Sequence, residues 1–105
     1  MKQIKNISEF DQLSAENTSF FFMKHSLTCP ISAAAYEEYK NFADSENVET
    51  YYLAVQESRE LSNHIAQTYG IRHESPQAFY FKDGKPAWNA SHNKIKKRVL
   101  KDQLV

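Results

Sequence analysis

Hydrophobic positions along this chain follow two rhythms. Ser19-Phe20-Phe21-Phe22-Met23-Lys24 is a continuous apolar run without alternation, the pattern of a strand covered on both faces, and we read it as the central strand of a sheet flanked by helices. Val48-Glu49-Thr50-Tyr51-Tyr52-Leu53-Ala54-Val55 is β-branched and aromatic, and long enough for another interior strand. Between the two, Ile31, Ala34, Ala35, Tyr39 and Phe42 recur at three- and four-residue spacing after Cys29-Pro30. This predicts a helix that Pro30 starts, because proline is tolerated in the first turn. A further stripe, Leu61, Ile65, Ala66 and Tyr69, predicts a helix that begins near Ser58, carries Glu60 in its first turn and ends at Gly70.

The two ends of the chain complete the order. A short edge strand is read around Gln3 to Asn6, followed by a short helix over Ser8-Glu9-Phe10-Asp11-Gln12-Leu13 capped by Ser8. Downstream, Ser75-Pro76 leads into Ala78-Phe79-Tyr80-Phe81, then Asp83-Gly84, then Pro86-Ala87-Trp88-Asn89-Ala90, which predicts two strands joined by a hairpin turn. Ser91 is placed as the cap of a final helix whose buried side carries Ile95, Val99 and Leu100. The order β-α-β-α-β-α-β-β-α predicts an α/β fold. Its central mixed sheet is mainly parallel with right-handed crossovers, is flanked by helices on both faces and gains antiparallel strands from the hairpin.

A length of 105 residues fits one domain, 1–105, and is too short for two. With 41% hydrophobic and 25% charged residues the composition is globular and excludes a disordered chain. Thirteen Lys and Arg balance thirteen Asp and Glu, so the chain lacks the global field of a nucleic-acid or membrane binder, and neither partner is expected. The balance is uneven, with Lys82, Lys85, Lys94, Lys96, Lys97, Arg98 and Lys101 facing only Asp83 and Asp102 from Lys82 onward. Lys94-Ile95-Lys96-Lys97-Arg98 reads as a terminal helix with its cations toward the favourable end of the dipole. No stretch approaches the ~20 apolar residues that span a bilayer, and Met1-Lys2-Gln3-Ile4-Lys5-Asn6 lacks the apolar run of a secretory signal. One cysteine forms no intramolecular disulfide and suits a reducing cytoplasm, where we expect the protein to reside.

That cysteine holds the most informative position in the sequence. Cys29 falls at the junction of the apolar strand and the helix begun by Pro30, where unpaired N–H groups and the positive end of the dipole favour a thiolate. At Ser32 the helix offers a further N–H and a hydroxyl that can point at the sulfur. Cys29-Pro30-Ile31-Ser32 is then a monothiol version of Cys-x-x-Cys. The alternative for an isolated cysteine is a small buried hydrophobe, and the alternative for Pro76 is a proline at a strand entrance, where it is tolerated anyway.

The apolar strand, Thr28-Cys29-Pro30-Ile31-Ser32 with its following helix, Ser75-Pro76 before a strand and the Asp83-Gly84 hairpin together resemble a thioredoxin-fold protein over nearly the whole chain. More narrowly, the Thr-Cys-Pro-Ile-Ser run and the length resemble the monothiol bacilliredoxins of the YtxJ-like family, part of the bacillithiol redox system of Firmicutes. The resemblance implies that Cys29 is the reactive residue and that Thr28, Pro30, Ile31 and Ser32 form its turn. It also implies that Pro76, after Ser75, is the cis-proline facing the sulfur on the substrate side. The implied substrates are cytoplasmic proteins carrying bacillithiol as a mixed disulfide. With Ser32 in place of a resolving cysteine, a second bacillithiol or another redoxin must finish the cycle. Bacillithiol is then a co-substrate, no cofactor is bound, and a monomer is expected.

Two other classes fit parts of the pattern. Monothiol Cys-x-x-Ser proteins of the glutaredoxin type hold bridging iron–sulfur clusters with one protein cysteine per subunit, and a non-catalytic thioredoxin-fold module holds extended peptides beside Pro76 with Cys29 idle. A brown colour after anaerobic purification marks the first and an unreactive thiol the second. His25, His64, His73 and His92 lack the spacing of a metal site and are read as surface or helix-end residues. His25, four residues before Cys29, has two readings, a structural placement, which is preferred, and electrostatic support of a thiolate. Trp88, Tyr51 and Tyr52 are read as core aromatics.

Overall fold

The computed structural model describes residues 1–105. Its elements are β1 (Lys2–Gln3), α1 (Ile7–Glu16), β2 (Ser19–His25), α2 (Pro30–Ser45), β3 (Thr50–Ala54), α3 (Arg59–Tyr69), β4 (Gln77–Lys82), β5 (Lys85–Ser91), a 3-10 turn (His92–Lys94) and α4 (Lys97–Asp102). The five strands form one sheet in the order β1-β3-β2-β4-β5. β3 lies parallel to both β1 and β2, whereas β4 is antiparallel to β2 and to β5. The mixed sheet and the element order are as the sequence predicts, but the sheet is not mainly parallel: two of its four pairings are antiparallel, because β4 runs against β2 as well as against β5.

β2 is central because both of its faces are apolar. Phe20 and Phe22 point into one core with Phe10, Leu13, Leu61, Ile65, Phe79 and Phe81, beneath α1 and α3. Phe21 and Met23 point into the other with Ala35, Tyr39, Phe42, Ala78, Ile95 and Leu100, beneath α2 and α4. Successive strand residues alternate faces, so an uninterrupted apolar run builds two cores at once. Phe10 meets Phe22 edge-on at 5.2 Å and Phe20 stacks on Phe81 at 4.9 Å, the offset and edge contacts that aromatic rings prefer.

Several boundaries differ from the sequence reading. The first strand ends at Gln3, and Asn6 rather than Ser8 caps α1, its side-chain oxygen accepting from Glu9 N at 2.8 Å. Ser8 thereby falls inside the helix. Gly70 does end α3, with φ +65°, and Asp83 and Gly84 take the paired positive φ of a two-residue hairpin turn. The largest correction lies near the end of the chain. Ser91 precedes only the 3-10 turn and makes no side-chain capping bond there: it still pairs with Gln77 in the sheet, and His92 N donates to Pro76 O at 3.0 Å. Only after Ile95 has entered the core does α4 begin, so Lys94, Lys96, Lys97 and Arg98 stand before or within its first turn, away from the helix end that favours cations. No helix is long and apolar enough to cross a membrane.

Candidate active site

Cys29 occupies the N-cap position of α2 in an extended conformation (φ −102°, ψ 120°), with Pro30 directly after it. Ala33 N donates to Cys29 O at 3.0 Å, closing the first helical turn. The Cys29 side chain makes no capping bond, the thiol is free, and the residue is half-buried. Leu27 and Ile31, two residues to either side, are 53% and 54% exposed. The spacing places Ile31 on the buried stripe of α2; it sits instead exposed in the first turn.

Ser32 does not serve the sulfur in the way its spacing predicts. Fully buried, its hydroxyl oxygen accepts from Ser26 N at 2.8 Å and lies 2.8 Å from His25 Nδ1. Burial lowers the His25 pKa below 6.5, which favours the neutral ring, and a hydrogen bond joins Nδ1 to the Ser32 hydroxyl. The hydroxyl's hydrogen bonds thus join the end of β2 to the first turn of α2, spanning the segment that carries Cys29. His25 is held on its other side by Tyr36, whose ring stacks on it at 4.5 Å.

A second clamp comes from a residue to which the sequence reading gave no role. Gln56 Oε1 accepts from Leu27 N at 3.0 Å, and Gln56 Nε2 donates to Ser26 Oγ at 2.9 Å and Thr28 Oγ1 at 3.3 Å. Parallel pairing explains the meeting: His25 lies beside Ala54, so the residues just beyond β2 and β3 leave the sheet together. That adjacency is the signal a pairing of the two predicted strands contains. Thr28 is exposed, and this bond is its anchor.

Pro76 lies at the same end of the sheet. Lys24 pairs with Gln77, so one further step of the antiparallel register sets Pro76 beside His25. The Ser75-Pro76 peptide is cis, as the resemblance implies. Pro76 is buried, its carbonyl is taken by His92 N, and the Ser75 hydroxyl is buried without a partner. Gln77 braces the preceding loop, its Nε2 donating to Arg72 O at 3.1 Å. Behind that loop, Lys24 is 0% exposed, and Nζ donates to Ser62 O at 3.0 Å and to His73 Nδ1 at 3.2 Å. Desolvation lowers the Lys24 pKa to about 8, and burial, with Lys24 close by, lowers that of His73. No three His, Cys, Asp or Glu side chains are grouped so that they could hold a metal ion.

A free thiol at a strand-to-helix junction, beside a cis-proline loop on a β1-β3-β2-β4-β5 sheet, defines a thioredoxin-fold protein with a monothiol site. A family model described as "Monothiol bacilliredoxin BrxC" matches residues 2–100, and the chain belongs to this family. Among solved structures, a candidate oxidoreductase with a thioredoxin fold is 42% identical with a TM-score of 0.94, over 98% of this chain and 92% of that one. The fold is also that of Fasciola hepatica thioredoxin (TM-score 0.79, 18% identity, 99% and 96% covered). Mitochondrial thioredoxin 3 from Saccharomyces cerevisiae is similar again (TM-score 0.77, 16% identity, 98% and 92% covered). The chain is thus a thioredoxin-like oxidoreductase of the monothiol bacilliredoxin family.

Proposed function

We propose that this protein removes bacillithiol from S-bacillithiolated proteins of the cytoplasm by thiol–disulfide exchange at Cys29. The observation that carries the reading is the unpartnered Cys29 thiol at the start of α2, two residues from exposed Leu27 and Ile31 and at the Pro76 end of the sheet. A side chain held by no hydrogen bond on a turn held by several is free to attack without dismantling its support.

In the first step the Cys29 thiolate attacks the bacillithiol sulfur of the mixed disulfide. The new bond joins Cys29 to bacillithiol, the old disulfide breaks, and the client protein leaves as a thiolate. In the second, a thiolate of free bacillithiol, or of another redoxin, attacks the bacillithiol sulfur on Cys29. This returns the Cys29 thiolate and releases bacillithiol disulfide or a mixed disulfide on the second redoxin. Two electrons pass in each exchange and no bound cofactor takes part. Ser32 offers no second sulfur, so an internal disulfide does not form.

Intact-mass measurement after exposure to oxidised bacillithiol tests this. The wild type takes up one bacillithiol at Cys29 and loses it on addition of reduced bacillithiol, while Cys29→Ser takes up none and leaves a bacillithiolated client protein unchanged. A wild type that forms no adduct, or a Cys29→Ser protein with full activity, overturns the proposal. Equal rates with oxidised glutathione would remove bacillithiol as the preferred small thiol.

A further inference from the structure

Beside the loop that carries Pro76, the surface opens into a groove of about 850 Å³, walled by Glu74, Trp88, His92, Lys94, Lys96 and Arg98 among others. Ser91 pairs with Gln77 and His92 N bonds Pro76 O, so the groove and the Cys29 turn share one end of the sheet. Its charge is lopsided. Lys94, Lys96 and Arg98 take part in none of the three ion pairs of the molecule, which join Lys40 to Asp44, His64 to Asp11 and Lys101 to Glu46. The one carboxylate in the wall, Glu74, is held below the usual carboxylate range by the Ser91 hydroxyl, with His92, Arg72 and His73 acting in the same direction. The groove wall itself therefore carries three cations against one carboxylate, in a chain whose residues before Lys82 carry six basic against eleven acidic side chains.

At the start of α4 the Glu38 carboxylate accepts from Lys97 N at 2.8 Å and stands beside Lys96 and Arg98, which offsets part of this charge and leaves Lys94 without an acidic partner. The three cations stand just before or in the first turn of α4, where the dipole opposes them. The partly covered indole of Trp88 adds an apolar surface to the groove. Neither Cys29 nor Pro76 lines the groove, so a small thiol attached to Cys29 is not its occupant; a chain that runs on from the reacting disulfide is. A polyanion such as RNA calls for a broad positive field, which a molecule of zero net charge lacks.

Building on the exchange reaction above, we infer that this groove binds an acidic segment of the client protein, its carboxylates on Lys94, Lys96 and Arg98 and an apolar side chain against Trp88, with the bacillithiolated cysteine at Cys29. Clients are thereby selected by acidic residues near the modified cysteine, and the selection acts on encounter rather than on the chemical step.

Fluorescence anisotropy with a labelled, cysteine-free peptide containing a Glu and Asp run and one Leu reads the groove independently of exchange. The full-length protein binds the peptide at 25 mM NaCl and about tenfold more weakly at 300 mM, because exposed charge pairs are screened. Lys94→Glu/Lys96→Glu/Arg98→Glu loses binding by tenfold or more, while its adduct formation with oxidised bacillithiol and its circular dichroism stay as in the wild type. Equal peptide binding by wild type and variant overturns the inference, as does tighter binding of a single-stranded oligonucleotide than of the peptide. Loss of small-disulfide exchange in the correctly folded variant also overturns it, since the groove would then serve the small thiol. Peptide binding by a wild type that forms no adduct leaves the groove standing and sinks only the redox reading.

Discussion

Ser32 Oγ lies 2.8 Å from His25 Nδ1 while accepting a hydrogen bond from Ser26 N, and in this pair the fourth position of the Cys-x-x-Ser motif acts on the backbone rather than on the sulfur. The serine fills the place a resolving cysteine holds in a dithiol motif and uses its hydroxyl to fasten the turn under Cys29. Removing it leaves the Ser26 N–H without its partner, at a cost of about 1–3 kcal/mol. Ser32→Ala should therefore lower stability in urea by that amount while retaining most adduct formation at Cys29. Loss of all exchange in a folded Ser32→Ala protein would give the hydroxyl a direct role in the chemistry.

Gln56 fastens the same turn from outside with three hydrogen bonds, to Leu27, Ser26 and Thr28. Because it is exposed, water replaces much of what Gln56→Ala removes, and global stability should fall by no more than about 1 kcal/mol. Local order should fall further. Hydrogen exchange at the Leu27 amide is the measurement, with protection lost there while amides of β2 such as Phe22 keep theirs.

Lys24 sets a signature at alkaline pH. Its folded pKa of about 8 lies below the unfolded value of 10.5, so between them the unfolded chain binds more protons and stability rises with pH. This contribution is present at high pH and lost as pH falls through 8. Tyr36, Tyr39, Tyr51 and Tyr69 act in the opposite direction above pH 10, since burial raises their pKa values. The window is therefore pH 8 to 10, where Lys24 adds about 2 kcal/mol. Urea titrations across it should show the rise in wild type and not in Lys24→Met; equal curves would mean that the ammonium is not desolvated.

His25 and His73 set one at acid pH. Burial lowers both pKa values from 6.5, so each favours the neutral ring in the fold, and the stability they contribute is lost as pH falls below 6.5. His25→Phe keeps a ring to stack on Tyr36 and removes the titration. Its stability should fall less between pH 7 and pH 5 than that of the wild type, as followed by thermal melting, and a parallel decline in the two proteins would exclude His25.

Gly70 is needed for its backbone. It ends α3 at φ +65°, and a Cβ added there meets nothing within 4 Å, so the cost of Gly70→Ala is conformational and of the order of 1–2 kcal/mol. Gly70→Asn should lose less, because asparagine tolerates the left-handed region better. Equal losses for the two variants in urea would point to a cause other than the backbone.

Much of this molecule was legible locally. The apolar run from Phe20 to Met23, the helical spacing from Ile31 to Phe42, Gly70 and the Asp83-Gly84 turn each prescribe an element through neighbouring residues alone, because backbone period and turn geometry are short-range properties. Thr28-Cys29-Pro30-Ile31-Ser32 and Ser75-Pro76 likewise marked the site and the family. Side-chain direction and charge environment were decided only by the tertiary structure. Ser32 turns to His25 and Ser26 because β2 ends directly beneath the first turn of α2, and Gln56 reaches Leu27 because two parallel strands end together. Lys24 is drawn into the interior because strand alternation assigns it the face of Phe20 and Phe22, and Ser62 and His73 wait there to accept its protons. Lys96, Lys97 and Arg98 stand at the start of α4 rather than at its end because Ser91 and His92 remain tied to β4 and Pro76. Each of these outcomes depends on which distant backbone groups arrive at one place, and spacing along the chain does not specify that.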